Sequence, residues 1–433
     1  MSDAMTTTPG ASAADLDAGR FPSSGTPADE VLDRMAALRV DDNDWRAGRT
    51  FSLVYSAGPE VHDLLEKAHT MYLFENALNT SVFPSLKRMQ ADVTGAVSDL
   101  FHGGDPAGGF MTSGGTESIL MAVKAAREWG LAERGITEPE VVLATSAHAA
   151  FAKASHYFGV KSIRTEVSDD YTVDVSAMAE AITPNTVLVV GSAPQYPQGV
   201  VDDIPAIAAL AEEHDILCHV DACMGGFLLP FLERLGRFDK PWDFRVPGVT
   251  SISADLHKYG YAAKGASTIT YRTKALRARQ TFLFDGWLGG TYGSPTMAGT
   301  KPAGPIAAAW AVLHHLGVDG YVRLVEAAHD AGRILIEGVR GTEGLALRGE
   351  PETTLVAFGA VEGSGIDIFT VSDGLAARGW YADRQTPPDS LHCTVNAVHR
   401  AVIDEFVADI AAVVAEVGGA VVADRATTYG TLD

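Results

Sequence analysis

The 433-residue sequence has few cysteines and a deficit of basic residues, and both shortages exclude classes of function. Its three cysteines, Cys218, Cys223 and Cys393, form no CxxC pair, so neither a disulfide framework nor a metal site of structural zinc type is expected. The 33 lysines and arginines against 55 acidic residues give a net charge of −22, which argues against nucleic-acid binding. No apolar run approaches the length that spans a bilayer, so no integral membrane segment is expected. A cytoplasmic enzyme is the expectation that fits these absences.

The length predicts more than one domain. Residues 1–27 are rich in Ala, Ser, Thr, Gly and Asp and lack a basic start, so they are expected to form a disordered tail rather than a targeting segment. Residues 28–89 are expected to form an N-terminal helical segment, residues 90–320 a large domain, and residues 321–433 a small C-terminal α/β domain.

Short apolar runs alternate with helical patterns after residue 90 and predict an α/β fold. Continuous apolar strands between helices favour a mostly parallel central sheet that is covered on both faces. The predicted strands of the large domain are Val141–Thr145, Thr186–Ser192, Ile216–Val220, Val249–Ser253 and Ser267–Tyr271. Those of the small domain are Thr354–Phe358 and Leu391–Asn396, before a final helix near Ile403–Val417.

Lys258 and its neighbour His257 follow one predicted strand, and Asp221 follows another. Open α/β sheets bind ligands at the carboxyl ends of their strands, so the acid and the lysine should meet in one crevice. Gly114 and Gly115 open a helical pattern, where exposed N–H groups suit a phosphate.

An anion site, an acid for a pyridinium nitrogen and an amine for a Schiff base are what pyridoxal phosphate requires. Lys258 would supply the amine, Asp221 would face the ring nitrogen, and Gly114, Gly115 and Thr116 would bind the phosphate, to which His257 could also donate. His148 follows the first predicted strand and could stack on the ring.

Each of these residues also has a structural interpretation. Lys258 would be a solvated surface lysine, Asp221 a helix N-cap, the glycines an ordinary turn, and His148 and His257 satisfied core histidines. The ordered set of acid, lysine and glycines favours the cofactor site over these separate alternatives.

Four segments resemble the pyridoxal-phosphate-dependent group of sphingosine phosphate lyases and glutamate-type decarboxylases, with the lyase branch the nearer match. They are Thr112-Ser-Gly-Gly-Thr-Glu, Ser146-Ala-His-Ala-Ala-Phe, His219-Val-Asp-Ala-Cys-Met-Gly-Gly-Phe, and Ser251-Ile-Ser-Ala-Asp-Leu-His-Lys-Tyr-Gly-Tyr-Ala-Ala-Lys-Gly. The resemblance implies a fold-type I homodimer with active sites at the subunit interface and Lys258 as the Schiff-base lysine.

The resemblance also assigns residues to the substrate. It implies that Lys264 and Tyr55 help to hold a substrate phosphate, that Tyr196 transfers a proton, and that Gly293 and Ser294 reach the partner subunit's phosphate site. The implied reaction is a retro-aldol cleavage, in which a base removes the β-hydroxyl proton of an amino alcohol and the Cα–Cβ bond breaks.

The departures from the lyase pattern lie on the substrate side. Asn79 and Gln198 stand where histidines are usual, Leu288 where glutamine is usual, and Lys301 where an arginine is common. An asparagine cannot carry positive charge, and a lysine lacks the fork that grips an oxyanion. Three functions therefore stay open at this point: a carbon–carbon lyase acting on a β-hydroxy amine, an amino-acid decarboxylase, and an inactive cofactor-binding scaffold. A metal is not expected in any of them.

Overall fold

The computed structural model describes residues 21–422 and 425–427. Most of the expected tail, residues 1–27, lies outside the described residues, so its disorder stays a prediction. The described residues divide into two compact units, one that ends at Asp44 and one that begins at Trp45. The described part of the first unit contains helix α1 (Ala28–Ala37), which has acidic residues in its first turn and Arg34 in its last, as the helix dipole favours.

A seven-stranded sheet forms the centre of the second unit. Its strands are β1 (Gly108–Thr112), β2 (Glu140–Ala144), β3 (Lys161–Thr165), β4 (Thr186–Ser192), β5 (Leu217–Asp221), β6 (Ser251–Ala254) and β7 (Ser267–Tyr271). Their spatial order is β1-β7-β6-β5-β4-β2-β3, in which β7 is antiparallel to both β1 and β6 and the other pairs are parallel. The expected mostly parallel sheet is confirmed.

Two strands of this seven-stranded sheet were not predicted from the sequence, for different physical reasons. Strand β1 begins with Gly108 and Gly109, and glycine weakens the strand signal. Strand β3 lies at the edge of the sheet, where the exposed Lys161 and Arg164 interrupt any apolar run.

Helices cover both faces of this sheet. Helix α7 packs Ile204 and Ile207 on one face, and helix α4 packs Ile119 and Val123 on the other. The helices of the second unit are α2 (Pro59–Met71), α3 (Pro84–Leu100), α4 (Gly115–Arg134), α5 (Ala150–Phe158), α6 (Val175–Ala181), α7 (Ile204–Glu213), α8 (Leu229–Arg234), α9 (Lys274–Ala278), α10 (Gly304–Gly341), α11 (Ile368–Ala376) and α12 (Ile403–Val417). Across residues 21–422, no helix has both the length and the apolar character that crossing a membrane requires.

The long helix α10 changes direction at Gly317, whose φ of 55° and ψ of −171° are not helical. Glycine adopts this left-handed φ without the steric penalty of a Cβ, so the chain can break the helix at this residue. The expected boundary between the large and small domains, at residues 320 and 321, lies close to this break.

A four-stranded antiparallel sheet follows helix α10. Its strands β10 (Leu345–Leu347), β11 (Leu355–Ala360), β12 (Asp383–Gln385) and β13 (Ser390–Thr394) lie in the order β10-β11-β13-β12. With helices α11 and α12 this sheet encloses a separate apolar core. A further hairpin consists of β8 (Phe282–Phe284) and β9 (Tyr292–Ser294). It lies between helices α9 and α10 in the sequence, and its β8 residues are exposed.

Candidate active site

The carboxyl ends of β5 and β6 place an acid beside a lysine, as the sequence predicts. Asp221 is the last residue of β5, and its strand pairs in parallel register with β6, from which the chain continues to Lys258. The Asp221 Oδ1 atom accepts hydrogen bonds from Ser253 Oγ at 3.1 Å and Cys223 N at 3.0 Å. Two donors therefore fix this buried carboxylate at the sheet edge.

Both residues line a cavity of about 560 Å³. The other predicted cofactor residues of this chain that line it are Gly114, Gly115, Thr116, His148 and His257. The fold thus brings seven predicted residues from four separate segments around one cavity.

Lys258 forms an ion pair that the sequence analysis missed. Its Nζ lies 3.0 Å from Oδ2 of Asp255, one turn earlier, and Nε2 of His257 lies 3.6 Å from the same oxygen. Burial disfavours the charged form of Asp255, but Lys258 and His257 outweigh burial and hold the pKa of this carboxyl below its ordinary value. The spacing Asp255-x-x-Lys258 was the available signal, because residues three apart meet in a tight turn.

The start of helix α4 is the segment that is predicted to bind the cofactor's phosphate, here called the phosphate cup. A Cβ on Gly115 would lie 2.7 Å from Asp255 Oδ2 and 2.8 Å from Cys223 Sγ, so only glycine allows this close approach. Glu117 closes the cup by accepting hydrogen bonds from Ser113 N and Met297 N, both at 2.6 Å. The N–H groups at this helix start carry the positive end of the helix dipole toward the cavity.

His148 and His257 each accept a backbone hydrogen bond at Nδ1. Ala150 N donates to Nδ1 of His148 at 3.0 Å, and Ala266 N donates to Nδ1 of His257 at 3.2 Å. Burial lowers the pKa of His148, against the opposing charge of Asp221, and it lowers the pKa of His257 to about 4. In its neutral form each ring therefore carries its proton on Nε2.

Lys264 and Tyr55 lie together beside this cluster. Lys264 Nζ lies 5.0 Å from the centre of the Tyr55 ring and donates to His257 O at 3.2 Å. Burial, with the nearby charge of Lys258, lowers the pKa of Lys264 to about 8. Near neutral pH the site thus holds a second cation next to the Schiff-base lysine candidate.

Tyr196 and Gln198 line a second cavity of about 1220 Å³, which His148 also lines. Gln198 is committed to Gln195: its Oε1 accepts from Gln195 Nε2 at 2.9 Å and its N donates to Gln195 Oε1 at 2.8 Å. The Tyr196 hydroxyl donates to Oδ2 of Asp383 at 2.6 Å. Asp383 is a second acid that sequence reasoning missed, because it lies 187 residues further along the chain.

The remaining predicted residues lie away from the Lys258 cavity of their own chain. Asn79 is on an exposed loop, where its Oδ1 accepts from Ser81 N at 3.1 Å. Gly293 and Ser294 are on β9 of the β8–β9 hairpin. Their predicted roles are those of residues that would act across a subunit interface, and they stay predictions.

Two of the departing residues also have clear positions. Leu288 is fully exposed near the tip of the hairpin. Lys301 is partly buried, donates to Gln90 Oε1 at 2.8 Å and Met111 O at 2.6 Å, and has its pKa lowered by burial to about 8.

The residues around the smaller cavity fit pyridoxal phosphate. Lys258 would hold the aldehyde, the helix start at Gly115 and Thr116 would take the phosphate, and Asp221 would pair with the ring nitrogen. His148 would cover the face of the ring. The close-approach glycine and the fixed carboxylate are features that such a group would use and that a dry core would not need.

Comparison with known proteins agrees with this fit. Residues 33–361 match the pyridoxal-dependent decarboxylase conserved domain. Sphingosine-1-phosphate lyase 1 of Rattus norvegicus is 42% identical over 393 residues, covering 90% of this chain and 68% of that protein. The probable L-aspartate decarboxylase of Pyrococcus furiosus is 35% identical over 362 residues, covering 83% of this chain and 94% of that protein.

A solved structure supports the same assignment. The sphingosine-1-phosphate lyase of Burkholderia pseudomallei superposes with a TM-score of 0.89 at 37% identity, covering 93% of this chain and 94% of that chain. The fold is therefore that of the fold-type I enzymes, and the cofactor is pyridoxal phosphate. The chain belongs to the pyridoxal-dependent decarboxylase family and is a pyridoxal-phosphate-dependent lyase similar to sphingosine-1-phosphate lyases.

Proposed function

We propose that the protein cleaves the carbon–carbon bond of a phosphorylated long-chain β-hydroxy amine, of the sphingosine 1-phosphate class, into an aldehyde and a smaller phosphorylated amine. The observation that carries this proposal is the cation at Lys264 beside Tyr55. The start of α4 already suits the cofactor's own phosphate, so this second cation beside the Lys258 cavity suits a second anion.

Bound pyridoxal phosphate supplies an electron sink for the pair released when a bond to the amine-bearing carbon breaks. The chain's residues would do the rest. Lys258 would hold the cofactor, Asp221 would keep the ring nitrogen protonated, and Lys264 with Tyr55 would bind the substrate phosphate. Tyr196 would face the substrate hydroxyl from the larger cavity.

An amino-acid decarboxylase is the second candidate, since the similarity to the aspartate decarboxylase extends over most of both chains. Such a substrate brings a carboxylate, and Arg384 lines the larger cavity. However, the Arg384 guanidinium already pairs with the Asp373 carboxylate and donates to Phe369 O, which favours a structural role. The lyase remains the better-supported proposal.

The test is a product assay on the holoenzyme. Wild-type protein reconstituted with pyridoxal phosphate is expected to release a long-chain aldehyde from a phosphorylated long-chain base and much less from the unphosphorylated base. Carbon dioxide from an amino-acid panel, without aldehyde from either base, would replace the lyase with the decarboxylase.

A homodimer with shared active sites is part of the same proposal. The hairpin that carries Gly293 and Ser294 also exposes Leu283, Trp287 and Leu288. Exposed apolar side chains grouped on one projecting segment are typical of a protein interface. Gly293 and Ser294 would then serve the partner's cofactor site.

We also place the enzyme in the cytoplasm, which its three free and buried cysteines support.

A further inference from the structure

Asp383 receives several hydroxyl donors on one carboxylate. Its Oδ2 accepts from Ser52 Oγ at 2.5 Å and from Tyr196 Oη at 2.6 Å. Burial, the charge of Asp383 and a hydrogen bond with Asp383 raise the pKa of Tyr381 to about 12. Hydroxyl–oxygen distances of about 2.5–2.7 Å are characteristic of charge-assisted bonds to a carboxylate.

His392 and Cys393 lie on β13, the strand that pairs with the strand of Asp383. His392 faces Asp383 across the β12–β13 pair, and its ring centre lies 4.1 Å from that of Tyr196. The His392 Nδ1 lies 3.2 Å from Pro197 O, which can only accept, and burial lowers the pKa of His392 to about 4. Burial also raises the pKa of the Cys393 thiol well above its ordinary value. The charged neighbour Arg384 follows Asp383 on β12, and its guanidinium pairs with the Asp373 carboxylate.

The hydrogen-bond direction defines what Tyr196 can do. The Tyr196 hydroxyl donates a hydrogen bond to Asp383. The lone pairs of its oxygen can therefore accept a hydrogen bond from a substrate hydroxyl in the cavity. Asp383, Tyr196 and Tyr381 line the larger cavity together with His148, and His148 also lines the cofactor cavity. The two cavities therefore share His148 in their lining, and Tyr196 lies in the larger of the two.

We infer that Asp383 is the terminal proton acceptor for the substrate hydroxyl and that Tyr196 relays the proton. The inference rests on the proposed lyase function. The substrate O–H bond breaks and its proton passes to Tyr196 Oη, while the original Tyr196 proton passes to Asp383 Oδ2. The C–C bond would then break as the carbonyl forms, and bound pyridoxal phosphate would supply the electron sink for the amine fragment. That fragment takes up one proton from water, and Asp383 returns its own proton to the cavity water, so the enzyme is restored.

Asp383 touches Tyr196 rather than the substrate, so it is a positioning residue. The test compares wild-type holoenzyme with Asp383→Asn, which keeps the size of the side chain but cannot accept a proton at this position. We expect kcat for aldehyde release to fall by about 10²- to 10⁴-fold, the usual contribution of a proton-transfer group. KM should change little in the variant, because Asp383 contacts Tyr196 and not the substrate.

Two controls separate the relay from a structural effect. Asp389→Asn removes a carboxylate from the turn between β12 and β13, where Asp389 accepts from Thr386 Oγ1 at 2.8 Å, and should leave kcat within about twofold. A primary amine without a β-hydroxyl should bind wild type and Asp383→Asn equally, as measured by the absorbance change of the bound cofactor. In a double-mutant cycle, adding Tyr196→Phe to Asp383→Asn should cause little further loss, because both residues serve one proton.

The outcomes are distinct. If wild type releases no aldehyde, the proposed function fails and the relay fails with it. If wild type is active and Asp383→Asn retains its kcat, the lyase stands and the relay is refuted. Loss of amine binding in Asp383→Asn would show a structural role and would also overturn the relay.

Discussion

Replacing Gly115 with alanine should weaken cofactor binding through Asp255. The added Cβ would lie 2.7 Å from Asp255 Oδ2, and ordinary van der Waals contact begins at 3.4 Å, so the carboxylate must withdraw by about 0.7 Å. Asp255 is buried and its Oδ2 lies 3.0 Å from Lys258 Nζ, so this withdrawal would lengthen the ion pair beyond hydrogen-bonding range. Overpacking of this kind costs about 1–3 kcal/mol, which corresponds to a loss of pyridoxal phosphate affinity of roughly 5- to 150-fold.

The assay is a titration of the apoprotein with pyridoxal phosphate, followed by absorbance, together with thermal unfolding of the apo form. Gly95→Ala is the matched control. Gly95 lies within helix α3, where an added Cβ would meet no atom within 4 Å, so we expect unchanged cofactor affinity and a gain of about 0.5–1 kcal/mol in stability. Wild-type cofactor affinity in Gly115→Ala would refute the reasoning, because the helix start would then tolerate the crowding without moving the lysine's partner.

Three further predictions concern the charges and the interface. Lys258→Ala should bind no cofactor that borohydride can fix to the protein, which mass spectrometry of the reduced sample measures; a fixed adduct elsewhere would remove Lys258 from its assigned role. Because the pKa of Lys264 is lowered to about 8, the KM for the phosphorylated base should rise as the pH rises through 8 and Lys264 loses its charge. Lys264→Met should raise this KM by about 10- to 100-fold and remove its dependence on pH. Leu288→Asp should dissociate the proposed dimer in analytical ultracentrifugation, whereas Leu131→Asp, at an exposed leucine of α4, should not; a monomeric wild type would contradict the interface.

The cofactor side of the site could be predicted from the sequence because its geometry is local to strand ends. Asp221 ends β5 and Lys258 follows β6, and parallel neighbours bring their carboxyl ends to one edge whatever their separation in sequence. The glycines at the start of α4 add a second local pattern. Strands β4 and β7 and helix α12 likewise have the bounds that their apolar runs predict.

The substrate side could not be predicted in this way, because its contacts join segments far apart in the chain. Tyr196 meets Asp383 across 187 residues, and Ser52 reaches the same carboxylate across 331. Strand β12, which carries Asp383, has only three residues and no apolar alternation to reveal it. No local sequence spacing therefore predicts that Asp383 belongs to the site.

The same contrast explains where substrate choice can change within one family. A change at Asp221 or Gly115 disturbs a sheet edge or a helix start and so affects any reaction that needs the cofactor. Asp383 instead lies on the antiparallel sheet of the small domain and meets Tyr196 through a hydroxyl, so another side chain at this position would alter proton transfer while the strand ends kept the cofactor in place. Gln198, already held by Gln195, is also separate from those strand ends. Under the proposed relay, a substitution at Asp383 would therefore change proton transfer without first disturbing the strand ends of the cofactor site.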